Sequence, residues 1–385
     1  MAALLPILFG LVAIVIAWVV RNNRRERLSR TAAALGMELS EQGFFRSEEV
    51  LSGAHRGRTV RLRYWRQSSG KSSHPRTTVT ISGLHPRFSV AREGLLSGVL
   101  GQTQGDVQLG DAALDAKAVL RGPEPLLRAR LDATARASLL TLLKHRDVKA
   151  DFGELTYCAN RHPTSADEVR ALLAPACDLA DALGQGDATL EELLRPAEQD
   201  PEQGVRLRCL LAILVSGEPD LRARAAAVAQ GARTAAERAL GPLLSGDRAR
   251  IAALRGEALH KVAALDPSTI ADHLRRAGAE DALMSLLGAE SAELKVPAIQ
   301  ALGAIGTVRA VEPLLPLTEG MLTSPALKQA ARAAVQSIQG RLGDVSAGSL
   351  SVVDGGATAG ALSVSGEAGA LSEARRPAPV PERGA

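Results

Sequence analysis

Nineteen residues, Ala2 to Val20, pass without an ionisable side chain, and Arg21, Arg24, Arg25, Arg27 and Arg30 follow almost at once. A helix of that length rises about 28 Å at 1.5 Å per residue, close to the hydrocarbon thickness that a spanning helix must match. The order apolar then basic reverses that of a cleavable secretory signal. The expectation is therefore an uncleaved single-pass transmembrane helix over residues 1–24, with residues 2–20 in the membrane and Trp18 at the interface. Positive flanks stay cytoplasmic, which places the chain at the inner membrane with its C-terminal bulk in the cytoplasm. The competing reading is an apolar N-terminal helix packed on a globular domain.

The remainder is long enough for two medium domains. The apolar share of the whole chain is 46% with only 2% aromatics, which suits close-packed helices better than a sandwich of large side chains. Strand signals are confined to the first part. Thr59 to Trp65 alternates, with Val60, Leu62 and Tyr64 on one face and Arg61 and Arg63 on the other. Arg76 to Ser82 alternates again, so the two runs are expected to pair as a hairpin across a long loop at Gln67–Pro75. Phe88 and Val90 suggest a third strand, Pro123–Lys144 a helix, Val148–Tyr157 further strands, and Ser165–Leu183 a helix capped by Ser165. The organisation that follows is an anchor (1–24), an α+β domain with a small antiparallel sheet (25–160), a helical linker (161–200), helical repeats (201–343) and a disordered tail (344–385) rich in Gly, Ala, Ser and Pro. Gly348-Ser349-Leu350-Ser351 and two similar tetrapeptides echo through that tail.

The helical part repeats. Leu294, Lys295, Ala298, Ala301, Leu302 and Ile305 recur 33 residues later as Leu327, Lys328, Ala331, Ala334, Val335 and Ile338, a spacing that lines the apolar members along one helical stripe. Between the copies, Gly303, Gly306 and Thr307 offer a stop and a cap, and Val311, Leu314, Leu315 and Leu317 a second stripe. Ala301-Leu302-Gly303-Ala304-Ile305-Gly306 and Ala310-Val311-Glu312-Pro313-Leu314-Leu315 resemble the HEAT repeat family. The resemblance implies an all-α solenoid that binds a protein partner and carries no chemistry of its own. Pro297 departs from the family's usual Ala and is expected to kink its helix or delay its start. Further upstream, the run from Gly110-Asp111 through Leu114-Asp115 to Gly122 is similar to a Gly-Asp-x-x-Phe-Asp signature of membrane-anchored bacterial domains, with Leu114 and Ala118 in place of both Phe residues. That resemblance implies a location and a fold class without an active site.

Val50 to Arg92 contains no Asp or Glu but holds Arg56, Arg58, Arg61, Arg63, Arg66, Lys71 and Arg76, with Arg87 and Arg92 beyond them. Near an anionic leaflet such a run is attracted by about 1 kcal/mol per basic residue, so these residues are candidate contacts to anionic lipid. Nucleic-acid binding, with Tyr64 and Trp65 as stacking groups, is the weaker reading, because Tyr64 falls on the apolar face. A solvated strand face with no partner is the bland one. Cys158, His162, His145 and Cys177 can be assembled into a zinc set on paper, but their spacing matches no finger or ribbon. Asp106, Asp111 and Asp115 read as turn and helix caps rather than a carboxylate cluster. No phosphate loop, dinucleotide fingerprint, nucleophile elbow or zinc-protease motif occurs. The expectation is a non-enzymatic, cofactor-free, membrane-tethered scaffold for a cytoplasmic protein. Its alternatives are an anionic-lipid or nucleic-acid binder through residues 50–92, and an enzyme with scattered catalytic residues.

Overall fold

The computed structural model describes residues 4–42, 48–70, 72–92, 106–184, 186–216, 218–320 and 323–343. Lys71 and the tail 344–385, with its tetrapeptide echo, lie outside them. The chain opens on helix α1 (Leu4–Leu35) and continues into an antiparallel sheet of eight strands. These are β1 (Glu38–Gln42), β2 (Glu48–His55), β3 (Arg58–Ser69), β4 (Ser72–Ser82), β5 (Ser89–Arg92), β6 (Ala118–Arg121), β7 (Arg146–Asp151) and β8 (Glu154–Ala159), in the order β1-β2-β3-β4-β8-β7-β5-β6. Helices α2 (Ala112–Asp115), α3 (Glu124–Arg130), α4 (Ala133–Leu142) and α5 (Ala166–Leu183) complete this half.

Period-two alternation decides which face of the sheet is covered. Val60, Leu62 and Tyr64 of β3, Val79 and Ile81 of β4, and Leu155 and Tyr157 of β8 are buried together with Leu28 and Ala32 of α1, Leu139 and Leu142 of α4, and Leu172 and Leu173 of α5. The Tyr157 hydroxyl donates to the Leu172 carbonyl at 2.7 Å, tying sheet to helix. Ser165 accepts from the Glu168 amide at 3.2 Å, capping α5.

Among the described residues no helix is long and apolar enough to cross a membrane, so the transmembrane helix read over residues 1–24 is withdrawn. The apolar run is not an element in itself; it is the first half of α1, whose unbroken second half carries Arg24, Arg25, Arg27 and Arg30 and buries Leu28 and Ala32 against the sheet. The sheet is not small. Its first two strands escaped the pattern because β1 reads Glu-Leu-Ser-Glu-Gln and β2 is interrupted by Gly53. Gln67–Pro75 is not a long loop but paired strand, with Ser69 opposite Ser72 and Gly70, at φ +58°, in the turn between them. The single helix expected over Pro123–Lys144 is two, broken at Asp132, whose carboxylate caps α4.

Beyond α5 come a short 3-10 turn (Leu190–Leu193) and helices α6 (Leu194–Gln199), α7 (Gln203–Ser216), α8 (Pro219–Gln230), α9 (Ala235–Ser245), α10 (Arg248–Ala252), α11 (Glu257–Ala263), α12 (Pro267–Arg276), α13 (Glu280–Leu286), α14 (Ala292–Ile305), α15 (Val308–Glu319) and α16 (Pro325–Gly343). They stack: α8 packs on α9, α13 on α14 and α15 on α16, while α7–α9–α11 and α12–α14–α16 form the contacts between successive layers. One continuous core runs from Leu193 to Ile338 and takes in Ala129 of α3. The residues that recur at 33 are its inner stripe, since Leu294, Ala298, Ala301 and Leu302 are buried in α14 and Leu327, Ala331, Ala334 and Val335 in α16. The pairing differs from the expected helix-turn-helix unit. Although α14 and α15 are joined by Gly306-Thr307, the principal partner of both is α16. Pro297 lies inside α14 without delaying its start, which Ser291 caps through the Glu293 amide.

Candidate functional site

The predicted anionic-surface contacts divide into three groups. Arg56 and Arg58 sit at one end of the β2–β3 hairpin and turn back onto α5. Arg56 binds Asp178 at 2.7 Å and also Asp181, while Arg58 reaches Asp181 at 3.0 Å and the Gly83 carbonyl at 2.5 Å. Hydrogen bonding to Asp178 holds the Arg56 guanidinium above its ordinary pKa. These two arginines are internal ties. Arg61 and Arg63 belong to the sheet's other face, in register with Thr80 and Thr78 of β4. There Arg63 meets Glu48 at 3.4 Å and lies 5.9 Å from the Trp65 ring, whose Nε1 donates to Thr78 Oγ1 at 2.9 Å.

Arg66 and Arg76 mark the opposite end of the sheet. Arg66 donates to Ser73 Oγ at 3.0 Å, and Arg76 to Gln67 Oε1 at 3.0 Å and to Asn160. This is also the end at which α1 leaves the sheet. Arg24 of α1 pairs with Glu49 at 2.6 Å, and Glu49 stands opposite Tyr64, which stands opposite Thr77. Residues before Arg24 therefore continue past the sheet edge; Trp18 lies about 9 Å further along the helix axis. Val15, Trp18, Val19 and Val20 are exposed there. Arg25, Arg27 and Arg161 are exposed at the same end. His162 plugs the cluster, its Nε2 within 2.8 Å of the Trp65 carbonyl and 3.1 Å of the Arg76 amide nitrogen. Burial lowers its pKa, and the charges of Arg24 and Arg66 push the same way against the Trp65 carbonyl. Tyr64 is core, edge-on to His162 at 5.6 Å between ring centroids.

The zinc candidates do not converge: His145 packs on the Tyr157 ring, His162 is engaged as above, and among the described residues no group of three or more His, Cys, Asp or Glu could hold a metal ion. Asp106 accepts from the Leu120 amide, Asp111 caps α2 through Ala113 and Leu114, and Asp115 accepts from Leu109 and Gly110. Asp111 does more than cap. Arg136 of α4 donates to it at 2.9 Å and bridges to both oxygens of Asp200 at 2.8 Å, so one buried guanidinium joins the sheet half to the helical half. Burial works against the Arg136 charge, but Asp200 and Asp111 outweigh it and hold the pKa above its ordinary value. The Gly110 backbone lies against that of Gly204, where a Cβ added to Gly110 would come within 2.2 Å of the Gly204 carbonyl carbon. The Gly-Asp signature is thus a joint. No sequence period could have shown this, because Arg136 and Asp200 are 64 residues apart.

On the helical half, α14 and α16 enclose an open groove of about 680 Å³ lined by Val296, Gln300, Gly303, Ala304, Ala330 and Ala333. A Cβ at Gly303 would come within 3.1 Å of the Ala334 Cα, so the glycine allows the two helices their close approach. Comparison with known proteins finds no family model that matches the chain, no similar curated protein and no similar solved structure.

Proposed function

We propose that the protein is a non-enzymatic scaffold whose helical stack, of the HEAT type, holds a protein partner. The observation that supports this reading is the groove between α14 and α16. It is walled mainly by small side chains and amides on two packed helices, a shape that accepts a helix of another chain by ridge-into-groove packing. The test is cross-linking of the full chain in cells followed by mass spectrometry, comparing the parent with Ala304→Arg and Ala333→Arg. Both positions are exposed, so neither change disturbs the core. The expected result is a cross-linked protein mapped to α14 and α16 and lost in both variants. An unchanged cross-link pattern overturns the reading.

A second reading rests on a separate observation, the gathering of Arg24, Arg25, Arg27, Arg66, Arg76 and Arg161 at the end of the sheet from which the exposed Trp18 and its apolar neighbours project. Basic side chains beside exposed apolar ones fit the surface of an anionic bilayer. Co-sedimentation of the full chain with phosphatidylcholine vesicles, with and without phosphatidylglycerol, tests it. Binding should require the anionic lipid, weaken with salt and fall in Arg66→Glu/Arg161→Glu. Equal binding to a DNA oligonucleotide would redirect the reading to nucleic acid.

A further inference from the structure

Where α3 of the sheet half meets α7 of the helical half and the α11–α12 connection, the molecule forms a half-open cavity of about 280 Å³. Its apolar walls include Leu190, Leu211, Val215 and Leu265, and two arginines border it, Arg128 and Arg208. Arg128 is 6% exposed and pairs through Nε and Nη2 with Glu124 at 2.8 Å, but its Nη1 is buried with no hydrogen-bond partner. Arg208 donates Nη1 to the Leu265 carbonyl at 3.0 Å, and its Nε is likewise buried and unpartnered. Native proteins pair their buried polar groups almost without exception, and guanidinium donors are among the costliest to leave unmade. Here two such orphans belong to side chains that border one cavity.

The carboxylates at the site do not resolve this. Glu124, about half exposed, already holds Arg128 by its other nitrogens, and Asp266 directs an oxygen to the Thr269 amide at 3.1 Å as the cap of α12. Burial lowers the Arg208 pKa and the neighbouring Arg128 charge lowers it further, while Asp115, Glu124 and Asp266 act in the opposite direction without reversing the shift. An apolar cavity with a few convergent polar groups is the general form of a small-molecule site. Its volume suits an oxyanion on a short aliphatic body.

We propose that this cavity at the junction of the two halves binds a small oxyanion, a carboxylate or a phosphate monoester carrying a short apolar chain, with Arg208 and Arg128 as the groups that hold it. Val215, 56% exposed, stands at the rim. Such a ligand would touch α3 and α7 at once and so stabilise the joint between the halves. The proposal is independent of the partner groove, whose variants leave this cavity untouched.

The full chain is titrated with butyrate and with inorganic phosphate, each against chloride at matched ionic strength, reading the thermal midpoint and the heat of binding. A saturable rise with either anion is expected, and the anion that saturates identifies which source of the oxyanion the site prefers. Arg208→Gln should weaken that binding tenfold or more, whereas the exposed Arg224→Gln leaves it unchanged. Should Arg128→Gln fail to fold, Val215→Trp, which fills the rim from an exposed position, should abolish the saturable response. The proposal is overturned if neither anion gives a response beyond that of chloride, or if the response survives in both Arg208→Gln and Val215→Trp.

Discussion

The strands of the sheet half and the buried helix contacts of the molecule use arginine in opposite ways. In the sheet half, Arg56 and Arg58 reach across to α5 and meet its carboxylates near the surface, and Arg66 and Arg76 crowd an open end. In the helical half, Arg206 is buried against Glu237 at 2.6 Å, and Arg136 enters from the sheet side to meet Asp200 where 3% of either side chain is exposed. The difference lies in the surroundings of equal charges. A strand places every second side chain outward, so its cations stay wet, whereas a helix stack offers interhelical positions where a cation stays charged only if carboxylates and carbonyls come with it.

Removing the buried member should break this contrast most severely. Arg136→Ala leaves Asp200 and Asp111 buried without their partner and is expected to cost about 3–5 kcal/mol, read as a loss in urea midpoint, with the sheet and helical halves unfolding in separate steps. Next comes Gly303→Leu, which forces α14 away from α16 and should cost about 1–3 kcal/mol by the same measurement, while the sheet half keeps its hydrogen-exchange protection. Arg58→Ala removes a tie to Asp181, which is 40% exposed. Solvent screening keeps that loss near 1 kcal/mol, and a larger loss would show that the sheet half depends on its surface pairs as the joint depends on its buried one.

The smallest effect is on pH dependence. His145 and His162 in the sheet half and His273 in the stack all have pKa values lowered chiefly by burial. A histidine whose folded pKa lies below its unfolded value favours the neutral form. Its stabilisation is complete above the unfolded value of about 6.5 and is lost as pH falls toward the folded one. Acidification should therefore weaken both halves, through two such histidines in the sheet half and one in the stack, as read by hydrogen exchange, and His162→Gln should flatten part of that slope.

What the sequence made legible follows the same division. The Thr59–Trp65 alternation was readable because one face of β3 is buried and the other wet, and the 33-residue recurrence because α14 and α16 occupy equivalent places in the stack. The recurrence did not reveal that both α14 and α15 lean on α16, since a period relates like to like and is silent about partners. Nor did an acid-free run reveal that Arg56 and Arg58 are satisfied internally, because Asp178 and Asp181 arrive from more than 120 residues away. The apolar N-terminus misled for a related reason: hydropathy reads a segment alone, and α1 continues without a break into a domain helix.

The contact of Gly110 with Gly204 also has a mechanical meaning. Two backbones that touch without intervening side chains, pinned beside a guanidinium shared by Asp111 and Asp200, leave little lever arm for bending. A force that parts the two halves would therefore have to break the backbone contact and the shared guanidinium at once.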